Sequence, residues 1–220
     1  MTSSHGGGFN IRHAWFIGGV LLLATVLADV AVGPPGPLVA IGGILGPVLF
    51  AGALLVFAFG IRGTGSVTAR RPLGTAALTL LAAWILLQSV LTDVLGSSAS
   101  ADSIPALVIT LSYVDPFLRF ALSLIAVIQI ARAGVVPSPW NWAPFWALGA
   151  LTVPWLLGQV FVVVGTSPET EATTILFIAT LDSLIRVGSA TFLGVLAILL
   201  ADRARRPQAV SARSTADTAL

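Results

Sequence analysis

Two pairs of opposite charges interrupt otherwise apolar stretches at one spacing. Asp115 precedes Arg119 by four residues, and Asp182 precedes Arg186 by four. On a helix, that spacing puts both side chains on one face, a turn apart. An isolated Asp or Arg at the centre of a membrane costs about 2.5–3.5 kcal/mol on insertion scales, and pairing within a helix lowers that cost. Two further carboxylates, Asp29 and Asp93, and two amides, Gln88 and Gln159, also stand in apolar stretches. These eight residues form the candidate polar cluster. Two kinds of chemistry fit them. They can bind a small polar or ionic solute or relay protons, with aspartates titrating and arginines holding anions or counter-charges. They can equally act as glue between helices, satisfied inside a bundle. Asp115 also precedes Pro116, which frees the carbonyl of Ser112 and predicts a kink. Ser112, Tyr113 and Asp115 are expected to line a polar break there.

The residues that are missing narrow the chemistry further. The 220-residue chain has no cysteine and two histidines, His5 and His13, both ahead of the first long apolar stretch. Disulfides and thiolate metal sites are excluded, and no histidine pair is available for haem or zinc. All eleven basic residues are arginines, so a lysine Schiff base is impossible. There is no HExxH, no Ser–His pairing in the spans and no phosphate-binding glycine loop attached to a soluble domain. No catalytic residue, metal ligand or cofactor is expected, and the chain is not read as an enzyme.

The elements that must position these residues follow from composition. Charged residues make up 9% of the chain and the apolar set 56%, with 22 glycines besides. A soluble domain carries about 25% charged residues. So few charges cannot cover a soluble core of this size, and they exclude a disordered chain or a nucleic-acid-binding domain. The class expected is an all-α polytopic membrane protein. Six apolar stretches are long enough to cross about 30 Å of hydrocarbon: 14–32, 38–61, 74–95, 104–131, 142–164 and 173–201. Turn-rich connections join them, among them Gly33-Pro34-Pro35-Gly36-Pro37. Three regions follow: an N-terminal tail over 1–13, a six-span domain over 14–201, and a solvated tail over 202–220. The first stretch is too long for a signal peptide and reads as an uncleaved anchor. Spans four and six approach 30 residues, so their outer ends are expected to project or tilt.

Orientation follows from the arginines. Arg12, Arg62, Arg70, Arg71, Arg132, Arg203, Arg205, Arg206 and Arg213 all fall on one side of the six-span layout. The loops on the other side carry only Asp102, Glu169 and Glu171 as charges. Both termini are therefore expected in the cytoplasm and the protein in the plasma membrane. Trp15, Phe16, Trp140, Trp142, Phe145 and Trp146 would form an aromatic belt at the cytoplasmic interface. The eight polar residues then gather in the outer half, with Gln129 the main polar exception.

A faint period of 67–69 residues runs along the chain. Even spans share a break, an apolar run and an arginine: Gly46-Pro47 leading to Arg62, Asp115-Pro116 to Arg132, and Asp182 to Arg203. Odd spans three and five share Trp-x-x-x-Gln, as Trp84 with Gln88 and Trp155 with Gln159. Trp84 and Trp155 read as core packing. The unit is a helical hairpin in three parallel copies. Gly42 with Gly46, and Ala190 with Gly194, are small-residue pairs read as packing within the bundle. This layout, with its glycines and arginine-ended even spans, resembles in architecture the HdeD-type family of small bacterial membrane proteins. The likeness implies the layout and assigns no function. The reading favoured is an accessory, sensory or structural membrane component, with a small transporter or channel as the alternative. The partner expected is the lipid bilayer and not nucleic acid, with a homo-oligomer or a further membrane protein left open.

Overall fold

The computed structural model describes residues 7–31, 38–60, 66, 71–98, 106–134, 140–164 and 168–203. Among these, the chain forms six long helices: α1 (Gly7–Ala31), α2 (Leu38–Phe59), α3 (Pro72–Ser98), α4 (Ala106–Ala133), α5 (Ala143–Val164) and α6 (Pro168–Arg203). A short 3₁₀ turn, Trp140–Trp142, leads into α5. Four segments are long and apolar enough to cross a membrane: Pro72–Val94, Tyr113–Ala133, Trp140–Phe161 and Thr173–Arg203. Shorter apolar helices run over His13–Asp29 and Ile44–Phe59. Only helices or closed barrels satisfy every backbone donor and acceptor in lipid, so an apolar chain without strand alternation takes this form. Hydroxyls inside the apolar helices bond back one turn, as Thr25 Oγ1 donates to the Leu21 carbonyl and Thr152 Oγ1 to that of Leu148. This conceals them from the surroundings without a tertiary partner.

The helix ends match the chemistry of their residues. Pro72 and Pro168 open α3 and α6, where a missing N–H costs nothing. Gly60 ends α2 with φ 69° and its N–H bonds to the Val56 carbonyl at 2.8 Å. Ser66 then donates its buried hydroxyl to the Ala58 carbonyl at 2.7 Å. Both satisfy last-turn carbonyls that have no helical donor. Gly134 ends α4 with φ 65°.

Two boundaries differ from the sequence expectation. α1 begins at Gly7, within the segment read as a tail. α6 begins at Pro168 and takes in Glu169 and Glu171, which were placed in a loop. Its 36 residues extend about 54 Å at 1.5 Å per residue, well beyond 30 Å of hydrocarbon. α4 runs unbroken through Pro116, as α2 does through Pro47 and α5 through Pro154. Proline removes one bond from each ladder, but apolar surroundings offer the remaining groups no better partner. Arg62, Arg70, Asp102, Arg205, Arg206 and Arg213 lie outside the described residues, as do the side chains of Arg12, Gly42, Ser112, Glu169 and Glu171.

The helices form a ring in chain order. Each packs on the next, α6 returns to pack on α1, and the α4–α5 seam is the thinnest. The start of α1 and the end of α6 meet at what we call the near end, where Ala14, Trp15, Leu200 and Ala201 share one buried cluster. Ala58, Ala77, Leu78 and Ala126 form a second cluster between α2, α3 and α4. Alanine at these seams lets the backbones approach closely. α1 and α6 approach closely at a pair of glycines. A Cβ added at Gly19 would stand 2.7 Å from the Gly194 carbonyl oxygen. Toward the far end, burial stops. Among the described residues nothing after Ile85 in α3, before Ala126 in α4 or before Gly194 in α6 is buried. Large apolar side chains such as Phe117, Leu176 and Leu184 point outward there, as expected of a surface that faces lipid.

Candidate functional site

The far half holds all eight candidate residues, and the seams of the ring divide them. At the α3–α4 seam, Asp115 Oδ1 accepts two hydrogen bonds. One comes from Arg119 Nε and one from Trp84 Nε1, both at 2.7 Å. The Asp115 side chain is 19% exposed and that of Arg119 37%. Indole donates only through Nε1–H, and a half-buried indole in an apolar helix needs an acceptor. Asp115 meets that need and the charge of Arg119 together. Gln88 lies one turn beyond Trp84, with its Oε1 buried and without a hydrogen-bond partner. Its neighbourhood is therefore polar but only partly satisfied.

The second group gathers where α1 meets α2 and α6. Arg186 Nη2 bonds Asp182 Oδ2 at 2.6 Å within α6. Asp29 of α1 lies over Gly46 of α2, whose added Cβ would stand 2.8 Å from Asp29 Oδ1. Gly46 is thus the cradle that admits the Asp29 carboxylate at the α1–α2 seam. This pair is more open than the first, with side-chain exposures of 61% for Arg186 and 35% for Asp182. Asp93 and Gln159 are exposed and join neither group among the described residues. Three or more residues arranged to hold a metal ion are absent among the described residues.

The expected polar break at Ser112, Tyr113 and Asp115 does not form as a unit. Tyr113 is exposed on the outer surface of α4, whereas Asp115 turns inward to Trp84. Two positions on a continuous helix point about 160° apart when separated by two or so residues at 3.6 per turn, so both cannot face one seam. Trp84 is the residue whose role sequence reasoning missed. Its spacing in an apolar helix predicts core packing, and its N–H is instead the inter-helix donor. A lone indole in an apolar helix facing an Asp-bearing neighbour is the signal that would have found it. Trp155 does pack, edge-to-face on Phe117 with centroids 5.2 Å apart, and this contact spans the thin α4–α5 seam.

The near half differs. It holds a partly open cavity of about 220 Å³ lined from all six helices, among them by Trp15, Phe57, Leu78, Val127, Leu151 and Leu196. Ser123 contributes the only aliphatic hydroxyl of that lining. A second cavity of about 250 Å³ shares Trp140, Leu196 and Leu200 with it and ends at Asp202 and Arg203. None of the eight polar residues lines either cavity. The aromatic belt divides accordingly. Phe16, Trp142, Phe145 and Trp146 are exposed, and the last three stack edge-to-face in series. Trp15 departs from the expectation: it is buried, because its helix face turns toward the ring interior.

The chain has been compared with models of known families, with curated proteins and with solved structures, and it matches none of them. The architectural resemblance drawn from the sequence gains no support from these comparisons, and the apolar helices are compatible with a membrane protein without assigning it a specific role.

Proposed function

We propose that this protein is an accessory, sensory or structural membrane component, without a catalytic site, whose intramembrane charges fasten its helices. The observation that carries this reading is Asp115. Its Oδ1 takes hydrogen bonds from the helix beside it and from the arginine one turn on. A carboxylate engaged in this way is a cross-link between helices. Asp29, which rests over Gly46 of α2, places a second carboxylate at the α1–α2 seam.

The accompanying topology is six spans in three tandem hairpins, in the plasma membrane, with both termini in the cytoplasm. The distribution of arginines supports the orientation, and the hairpin unit rests on the 67–69-residue period of the sequence. The absence of cysteine makes single introduced cysteines clean reporters of sidedness. A cysteine before α1 and one after α6 are expected to react only after the membrane is permeabilised.

The functional reading is tested by flux. Purified protein in liposomes is expected to pass no protons, sodium, potassium or chloride above empty vesicles. Asp115→Ala is expected to lower the unfolding temperature in detergent. A protein-dependent flux that Asp115→Asn abolishes, with its unfolding temperature unchanged, would overturn this reading in favour of a small transporter or channel.

A further inference from the structure

We propose that the near-half cavity binds one hydrocarbon chain of an anionic membrane amphiphile, with the head group at Arg203. The cavity is drawn from every helix of the ring, and its lining is apolar except for Ser123 and the indoles of Trp15 and Trp140. A cavity with predominantly apolar walls stays dry and takes up apolar ligands, and here only one hydroxyl and two indole edges interrupt the apolar lining. Hydrocarbon is the matter that matches such walls, and a bilayer supplies it at that depth. A cavity of about 150 Å³ takes a six-carbon ring, so the 220 Å³ here takes on the order of nine carbons. That is part of one chain and not a whole lipid.

The second cavity gives the chain a direction. It lies against the same wall of Trp140, Leu196 and Leu200 and reaches the end of α6 at Asp202 and Arg203. Arg203 is exposed and forms no ion pair among the described residues. It is the cation at the mouth, in the plane where a head group sits, and an arginine there pairs geometrically with a carboxylate or phosphate. Asp202 beside it is exposed and disfavours a doubly charged head group crowding that side. A singly charged head with its chain directed inward past Leu199 and Leu196 fits both cavities. The proposal does not depend on the role of the far-half charges, because none of them lines either cavity.

The test uses the full chain in phosphatidylcholine vesicles with a palmitic acid carrying a diazirine near the chain end. Irradiation and peptide mapping are expected to place label on inward residues such as Leu54, Leu78 and Val127. Ala126→Phe, which projects a ring into the cavity, is expected to cut that labelling at least five-fold. Leu80→Phe, on the exposed outer face of α3, is expected to leave it unchanged. Leu54→Phe fills the cavity from α2 and replaces Ala126→Phe if that variant does not fold. Arg203→Gln is expected to lower labelling by the acid several-fold but not by the corresponding uncharged alcohol. A second arm with phosphatidylglycerol bearing the same diazirine chain separates a free acid from a phospholipid. Stronger labelling by one identifies the source, and both outcomes support the site. Label confined to exposed outer residues, or label that neither cavity-filling variant reduces, would overturn it.

Discussion

The two halves of the ring are built from the same helices and solve opposite problems. In the near half, alanine and glycine bring backbones together, and nearly all the buried apolar core is there. In the far half, side chains turn outward and the helices are linked by a few polar contacts. α6 holds both solutions along one rod. Gly194 meets Gly19 and Leu23 of α1, whereas a Cβ added at Gly188, under two turns away, meets nothing within 4 Å. The same residue type is thus a close-packing device at one position and a gap at the other. Proximity to the neighbouring backbone, not residue identity, decides what a glycine does in an apolar helix.

The sharpest way to break this comparison is to overfill the tight half. Gly19→Leu must displace the Gly194 carbonyl and Ile198, and it is expected to cost about 3 kcal/mol, the upper end for overpacking. Thermal unfolding in detergent measures it, and a loss below that of any far-half variant would reverse the contrast. Next in size is Asp115→Ala, which deprives Trp84 and Arg119 of their shared acceptor. It is expected to cost about 2 kcal/mol as stranded donors, while Asp115→Asn, which keeps a carbonyl acceptor, loses less. Gly188→Ala is expected to gain about 0.5–1 kcal/mol, because it removes a helical glycine where there is open space. If it destabilises instead, the far half is packed more tightly than its exposure indicates. The smallest effect belongs to Asp182→Asn, about 0.3 kcal/mol as for an exposed i,i+4 pair. A cost matching that of Asp115→Ala would make the two pairs equivalent and erase the distinction between them.

Much of the fold was legible in the sequence because apolar runs and turn residues mark helices strongly. The six apolar stretches each fall within one of the six helices or end within two residues of it. The i,i+4 spacing of both Asp–Arg pairs was legible for the same reason, and both ion pairs form. The rotation of each helix about its axis was not. Helices apolar on nearly every side give no face a preference, so the inward turn of Trp15 and the pairing of Trp84 with Asp115 depend on neighbours that one-dimensional patterns do not name. The small-residue pairs pointed to Gly46 and Gly194 but not to what meets them. Gly46 accommodates a carboxylate and Gly194 a backbone. The cavity was equally hidden, because it is a property of six helices together and of no single stretch.

The seam that closes the ring joins α1 to α6, the two helices farthest apart along the sequence. Gly19 and Gly194 stand far apart along the chain, yet their backbones meet, a Cβ added at Gly19 standing 2.7 Å from the Gly194 carbonyl oxygen. During synthesis α1 can pair with α2 early, but its second flank lacks its partner until α6 has been made. Chains grow at about 5–20 residues per second, so that flank waits for many seconds. A contact between such distant positions is the slowest kind to form. The glycine face of α1 is therefore a temporary adhesive surface on every nascent chain, and its eventual partner must arrive before another helix takes its place.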